Sequence, residues 1–168
     1  MSEGAGAAGG TGGSSAALAT IERLYAAMGA HDGEAMAACY APEATFTDPV
    51  FVGLSDGEPG DMWRMLTARS ADLQVDLREH GVDGSWGNAH WVAHYTFGQT
   101  GRKVVNDVQS EMRFDDAGLI VVQRDEFDFW RWSRQALGPV GLLLGWTPVL
   151  RHSVRDKARG GLAAFRER

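Results

Sequence analysis

A chain of 168 residues with 44% hydrophobic residues is long enough for one domain with its own core. Its net charge of -6 argues against a nucleic-acid partner, because phosphate backbones select basic surfaces. The single cysteine, Cys39, excludes an intrachain disulfide and a cysteine-based metal centre.

Nothing reads as a signal peptide, and no apolar run approaches the roughly 20 residues of a spanning helix. The expectation is a cytoplasmic protein without membrane insertion.

In chain order, residues 1–14 are mostly Gly, Ala and Ser and cannot bury enough to offset ordering, so a disordered tail is expected there. A pocket domain over 15–130 and a helical arm over 131–168 are expected to follow. Leu18, Ile21, Leu24, Tyr25 and Met28 fall at helical spacing, Gly29 ends that helix, and Asp32 caps a second one reaching Tyr40. Residues 44–48 read as a strand stopped by Pro49, 50–60 as a loop, and 61–70 as a helix through Met62, Met65 and Leu66.

Strand-like segments follow at 73–80, 90–98, 103–114 and 119–128. The third alternates cleanly, with Val104, Val108, Met112 and Phe114 on one face and Asp107, Gln109, Glu111 and Arg113 on the other. Helices first and an antiparallel meander afterwards predict an α+β fold. Beyond Trp130 the chain is again helical and apolar, divided at Gly138-Pro139 and Thr147-Pro148. It could lie over the open end of the sheet, pack on another subunit or touch a membrane surface. Packing on the core or a subunit is expected because the run is short and broken by prolines. Its basic residues, among them Arg151, Arg155 and Arg159, read as a solvated helix face.

The sharpest chemical signal is Asp125, which alternates with Val121, Phe127 and Phe129. If those residues mark a buried face, the carboxyl beside them must be hydrogen-bonded, paired or protonated. His90 and His94 are spaced for a metal on a helix but stand in a predicted strand, so no metal site is expected. There is no phosphate-binding glycine motif, and no cofactor is expected.

Residues 26–50, including Ala44-Thr45-Phe46-Thr47-Asp48-Pro49-Val50, resemble the ketosteroid isomerases of the nuclear-transport-factor-two-like superfamily. Gly101-Arg102-Lys103 and Met112-Arg113-Phe114 are similar to the central hairpin of the same family. Arg124-Asp125-Glu126-Phe127-Asp128 resembles the limonene epoxide hydrolases of that superfamily, which also holds the SnoaL-like polyketide cyclases. The resemblance covers roughly Leu18 to Trp130. It implies a cone: a strongly curved antiparallel sheet packed against N-terminal helices, enclosing a pocket, with the C-terminal helical arm outside the shared part. It also implies a homodimer and a small apolar molecule as partner.

By the same resemblance, Asp48 stands where the isomerases keep their proton-moving carboxylate, while their two oxyanion donors fall on Leu24 and Ser110. Asp125 matches a water-activating carboxylate of the hydrolases. Their arginine and second aspartate fall on Val92 and His94, so the bridging arginine is absent. The sequence therefore nominates Asp48, Asp125 and His94 as catalytic, in a pocket lined by Tyr25, Phe46, Trp63 and Phe127. Two readings stand side by side: a cofactor-free isomerase, cyclase or hydrolase moving protons on an apolar substrate, and a non-catalytic apolar-ligand binder or dimerisation domain.

Overall fold

A computed structural model describes residues 10–168. The first nine residues of the expected tail lie outside the described residues. The helix α1 spans Gly10–Gly29, beginning earlier than the expected residue 15. It turns Ala17, Thr20, Ile21, Leu24, Tyr25 and Met28 inward, a stripe at three- and four-residue intervals. A short α2, Gly33–Ala37, starts where the Asp32 carboxylate accepts a hydrogen bond from the Ala35 amide. After β1 (Tyr40–Thr47) and a loop, α3 runs over Glu58–Arg69, with Pro59 in its first turn.

The strands β2 (Gln74–Asp83), β3 (Trp86–Phe97), β4 (Arg102–Phe114) and β5 (Ile120–Glu126) form an antiparallel meander. The sheet order is β1-β5-β4-β3-β2, and β1 joins β5 in parallel at the far edge. Shifts of register interrupt the β1–β5, β2–β3 and β4–β5 ladders. Irregularities of this kind bend strands and raise their twist, as the cone form requires.

The concave face carries the core. Ala89, Trp91 and Ala93 of β3 and Val108, Ser110 and Met112 of β4 are buried, and the apolar ones pack with Ile21, Leu24, Met36, Met62 and Met65 of the helices. Asp107, Gln109, Glu111 and Arg113 are exposed on the outer face, as the alternation predicts.

Gly118 shows how closely α1 approaches. It adopts φ +79° in the β4–β5 turn, and a Cβ there would meet the Ala16 Cβ at 2.7 Å.

Three further helices make the arm: α4 (Phe129–Leu137), α5 (Pro139–Leu144) and α6 (Pro148–Arg166). Asp128 ends the sheet by capping α4, its carboxylate accepting from the Arg131 amide at 3.0 Å. Phe129, Trp132 and Ala136 pack with Val104 of β4 as a second small core. From the other end of the arm, α6 buries Leu162 and lies against α3, where Arg159 and Arg166 pair with Glu58 and Asp61 at 3.0–3.6 Å.

Candidate functional site

Asp125 is the centre of a buried hydrogen-bond network. It points inward from β5 with Gln123, two residues before it, while Arg124 and Glu126 face solvent. Ser110 stands directly across the β4–β5 ladder from it. The Ser110 hydroxyl donates to Asp125 Oδ1 at 2.6 Å, and Gln123 Nε2 donates to the same oxygen at 2.9 Å.

Each donor is fixed by a further shell. Ser110 Oγ accepts from the Tyr25 hydroxyl and from Trp91 Nε1, both at 2.9 Å. Gln123 Oε1 accepts from the Tyr40 hydroxyl at 2.6 Å, which accepts from Trp63 Nε1 at 2.7 Å. An indole nitrogen only donates, so both arms have one direction. They converge on Asp125 Oδ1, and among the described residues Oδ2 has no partner.

This geometry fixes where a proton sits. Oδ1 already receives two hydrogen bonds, so a protonated Asp125 carries its hydrogen on Oδ2. Burial pushes the Asp125 carboxyl up to about 6, against the lowering effect of the Ser110 and Gln123 hydrogen bonds. The same burial, followed by the nearby Asp125 charge, raises the Tyr25 and Tyr40 phenols well above their ordinary range.

Asp48 follows the end of β1 and is partly buried. Its Oδ1 accepts from the Val50 and Phe51 amides at 2.6 and 2.5 Å, which closes a tight turn around Pro49. Among the described residues its Oδ2 also has no partner. Burial raises this carboxyl to about 7, and the Asp125 charge raises it too, so the two carboxyls share one electrostatic neighbourhood. The backbone amides and Arg155 oppose the shift. Arg155 reaches in from α6 and donates from Nε to the Pro49 carbonyl at 2.9 Å. Tyr95, pushed up to about 12 chiefly by burial, also feels the Asp48 charge and accepts from Trp132 Nε1 at 2.8 Å.

The structure thus brings Asp48, Asp125, Tyr25 and Trp63 to one region. Phe46 stacks edge-on to Trp63, with ring centroids 5.7 Å apart, and Phe127 packs at the boundary of the two cores. His94 is not brought there. It is exposed on the convex face of β3, because Trp91, Ala93 and Tyr95 take the concave one. The sequence left that choice open because β3 carries apolar residues at both parities; Val92, on the side of His94, is buried as well.

Four participants escaped the sequence reading. Tyr40 and Gln123 had a signal, since Gln123 lies two residues from Asp125 on the same face. Trp91 was visible as an apolar strand residue but not as a donor. Arg155, on the basic arm, had none.

Two concavities of the surface lie apart from this pair: one is lined by Tyr40, Pro42, Pro59 and Arg64, the other by Arg102, Lys103, Arg131 and Arg134, and neither is lined by Asp48 or Asp125. Among the described residues there is no cluster of three or more His, Cys, Asp or Glu arranged to hold a metal ion. Among the described residues no helix is long and apolar enough to cross a membrane.

Comparison with known proteins agrees with this architecture. An LEH-like epoxide hydrolase from M. tuberculosis is similar with a TM-score of 0.63 and 21% identity, over 78% of this chain and 97% of that one. A protein with a ketosteroid isomerase-like fold from Catenulispora acidiphila gives a TM-score of 0.63 and 16% identity, over 77% of this chain and 97% of that one. The BvnE pinacolase from Penicillium brevicompactum gives 0.59 and 16%, over 70% and 86%. At these identities the likeness establishes the fold alone. No curated protein matches the sequence significantly. The family model of the SnoaL-like domain matches residues 21–123, most of the region from α1 to β5. The chain belongs to the SnoaL-like domain family.

Proposed function

We propose that the protein is a cofactor-independent enzyme that transfers protons on a small apolar substrate, with Asp48 and Asp125 as one acid–base pair. The observation that carries this reading is the pair itself. Each carboxyl has one oxygen held by hydrogen bonds and the other, among the described residues, without a partner; burial raises both towards neutrality, and the Asp125 charge raises Asp48 further. Two such groups close together resist simultaneous ionisation, so near neutral pH the pair holds about one proton between them. That supplies an acid and a base at once.

The chemistry follows from the orientation of the donors. Asp125, the lower of the two at about 6, ionises first and abstracts a proton from carbon or from water through Oδ2. Asp48, at about 7, keeps the pair's proton, and its Oδ2–H donates a hydrogen bond or a proton to the oxygen where charge develops. Ser110, at the position the isomerase resemblance assigns to an oxyanion donor, instead gives its hydrogen to Asp125 at 2.6 Å and favours the ionised carboxylate. The absent bridging arginine speaks against the epoxide-hydrolase arrangement, so an isomerase- or cyclase-type proton shift fits the residues better than water attack.

The test is turnover of apolar enones and epoxides by wild type, Asp48→Asn and Asp125→Asn. The expected result is loss of about two orders of magnitude or more in each variant and a bell-shaped wild-type profile. Equal turnover in all three would remove both carboxylates from the mechanism. The second reading, a ligand-binding domain without chemistry, is favoured by the arm, because Arg155 on α6 reaches the Asp48 turn. It predicts ligand binding with no turnover.

A further inference from the structure

The arm carries an apolar surface that the pocket chemistry does not use. α5 meets α4 through glycine: a Cβ at Gly141 would lie 1.8 Å from the Ser133 carbonyl oxygen, and one at Gly145 would lie 2.1 Å from Ser133 Oγ. With those positions turned inward, the large side chains turn outward. Leu142, Leu143 and Leu144 are 53%, 68% and 49% exposed, and Trp146 and Val149 are 71% and 78% exposed. Three consecutive leucines step about 100° each around a helix, so they form a convex knob instead of a stripe. The Trp146 Nε1 donates to the Leu143 carbonyl at 3.1 Å, which leaves the ring free to face outward with its polar group satisfied.

A basic groove adjoins the knob, lined by Arg102, Lys103, Arg131 and Arg134 with Val105 and Gln135. The two are continuous. The Arg102 guanidinium lies against Gly138, where α5 begins, and Arg134 stacks 4.3 Å from the Trp130 ring centroid, whose indole donates to the Leu142 carbonyl at 3.4 Å. Among the described residues, the buried Arg134 Nε has no hydrogen-bond partner. Asp72 pairs with Lys103 at 3.2 Å. In a chain of net charge -6, cations gathered beside an exposed Leu/Trp knob select an anionic, amphipathic partner.

We propose that this face docks the protein on an anionic lipid bilayer. Leu142, Leu143, Leu144, Trp146 and Val149 enter the boundary between headgroups and acyl chains, and Arg102, Arg131 and Arg134 meet lipid phosphates. The chain lies on the membrane without crossing it; among the described residues no helix is long and apolar enough to span it. A second copy suits this face less well. A two-fold dimer through the knob would set one basic groove against the other, and a convex knob offers its twin no groove to fill.

The test is flotation of the full-length protein with vesicles of phosphatidylglycerol and phosphatidylcholine, against vesicles of phosphatidylcholine alone. Binding is expected only to the anionic vesicles. It should weaken at least about tenfold in a Leu143→Glu/Trp146→Glu variant and in an Arg131→Glu/Arg134→Glu variant, and at about 1 M salt. All four substituted positions lie outside the Asp48–Asp125 network, and unchanged thermal unfolding of the variants confirms that they fold. No binding to anionic vesicles, equal binding to both vesicle types, or binding unaffected by the knob variant would overturn the proposal. So would a wild-type dimer that Leu143→Glu/Trp146→Glu dissolves in the absence of any vesicle binding.

Discussion

At the scale of single residues, Asp125 owes its properties to where its hydrogen bonds stop. Six side chains (Ser110, Gln123, Tyr25, Trp91, Tyr40 and Trp63) spend their donors on or behind one oxygen, leaving the other to face the site. The raised carboxyl has a consequence for stability. The unfolded carboxyl titrates near 4 and the folded one at about 6, so the folded state holds the proton more tightly. The stability from that group is complete below about pH 4 and is lost as pH rises through 6.

Asp125→Asn keeps an acceptor for Ser110 and Gln123 but does not titrate. Relative to wild type, it should therefore gain about 3 kcal/mol between about pH 4 and about pH 8, the worth of a shift of about two units. Urea unfolding at both pH values checks this. A constant difference between the two proteins would mean that Asp125 titrates alike in the folded and unfolded chain, with no raised carboxyl.

Among the elements, the strands that announce themselves are those whose faces differ. β4 alternates buried and exposed residues along its length, and its sequence alternates with it. The β2–β3 hairpin is longer than its sequence suggests because Gly81 and Gly87, which look like turn residues, are ladder residues. A Cβ at Gly87 would meet the Phe114 ring at 2.8 Å and Ile21 at 3.0 Å, so packing demands glycine there. β1 starts at Tyr40, ahead of Pro42, where the register with β5 breaks; the proline hid four residues of strand.

The arm was legible as helices but not as a contributor to the site, because the contact from Arg155 to Pro49 spans 106 positions of sequence. Its cation lowers the Asp48 carboxyl, so Arg155→Gln, which keeps a donor for the Pro49 carbonyl, should move the Asp48 titration upward from about 7. The matching limb of the turnover profile should shift to higher pH in step. A purely structural Arg155 would leave both unmoved.

On the scale of the whole molecule, the cone gathers groups that are distant in the chain into one electrostatic unit. Asp48 comes from the end of β1, Asp125 from β5, the phenols from α1, β1 and β3, and Arg155 from α6. Sequence reading found both carboxyls because each sits beside a recognisable strand end or alternation. It could not show that they interact, since that depends on sheet curvature and on burial from both sides.

Their coupling is the central claim, and a carboxyl-carbon NMR titration of Asp48 tests it most directly. In wild type Asp48 should titrate at about 7. In Asp125→Asn, which removes the neighbouring negative charge, it should titrate measurably lower. An Asp48 titration unchanged by Asp125→Asn, or one near 4 in wild type, would contradict the paired acid–base site.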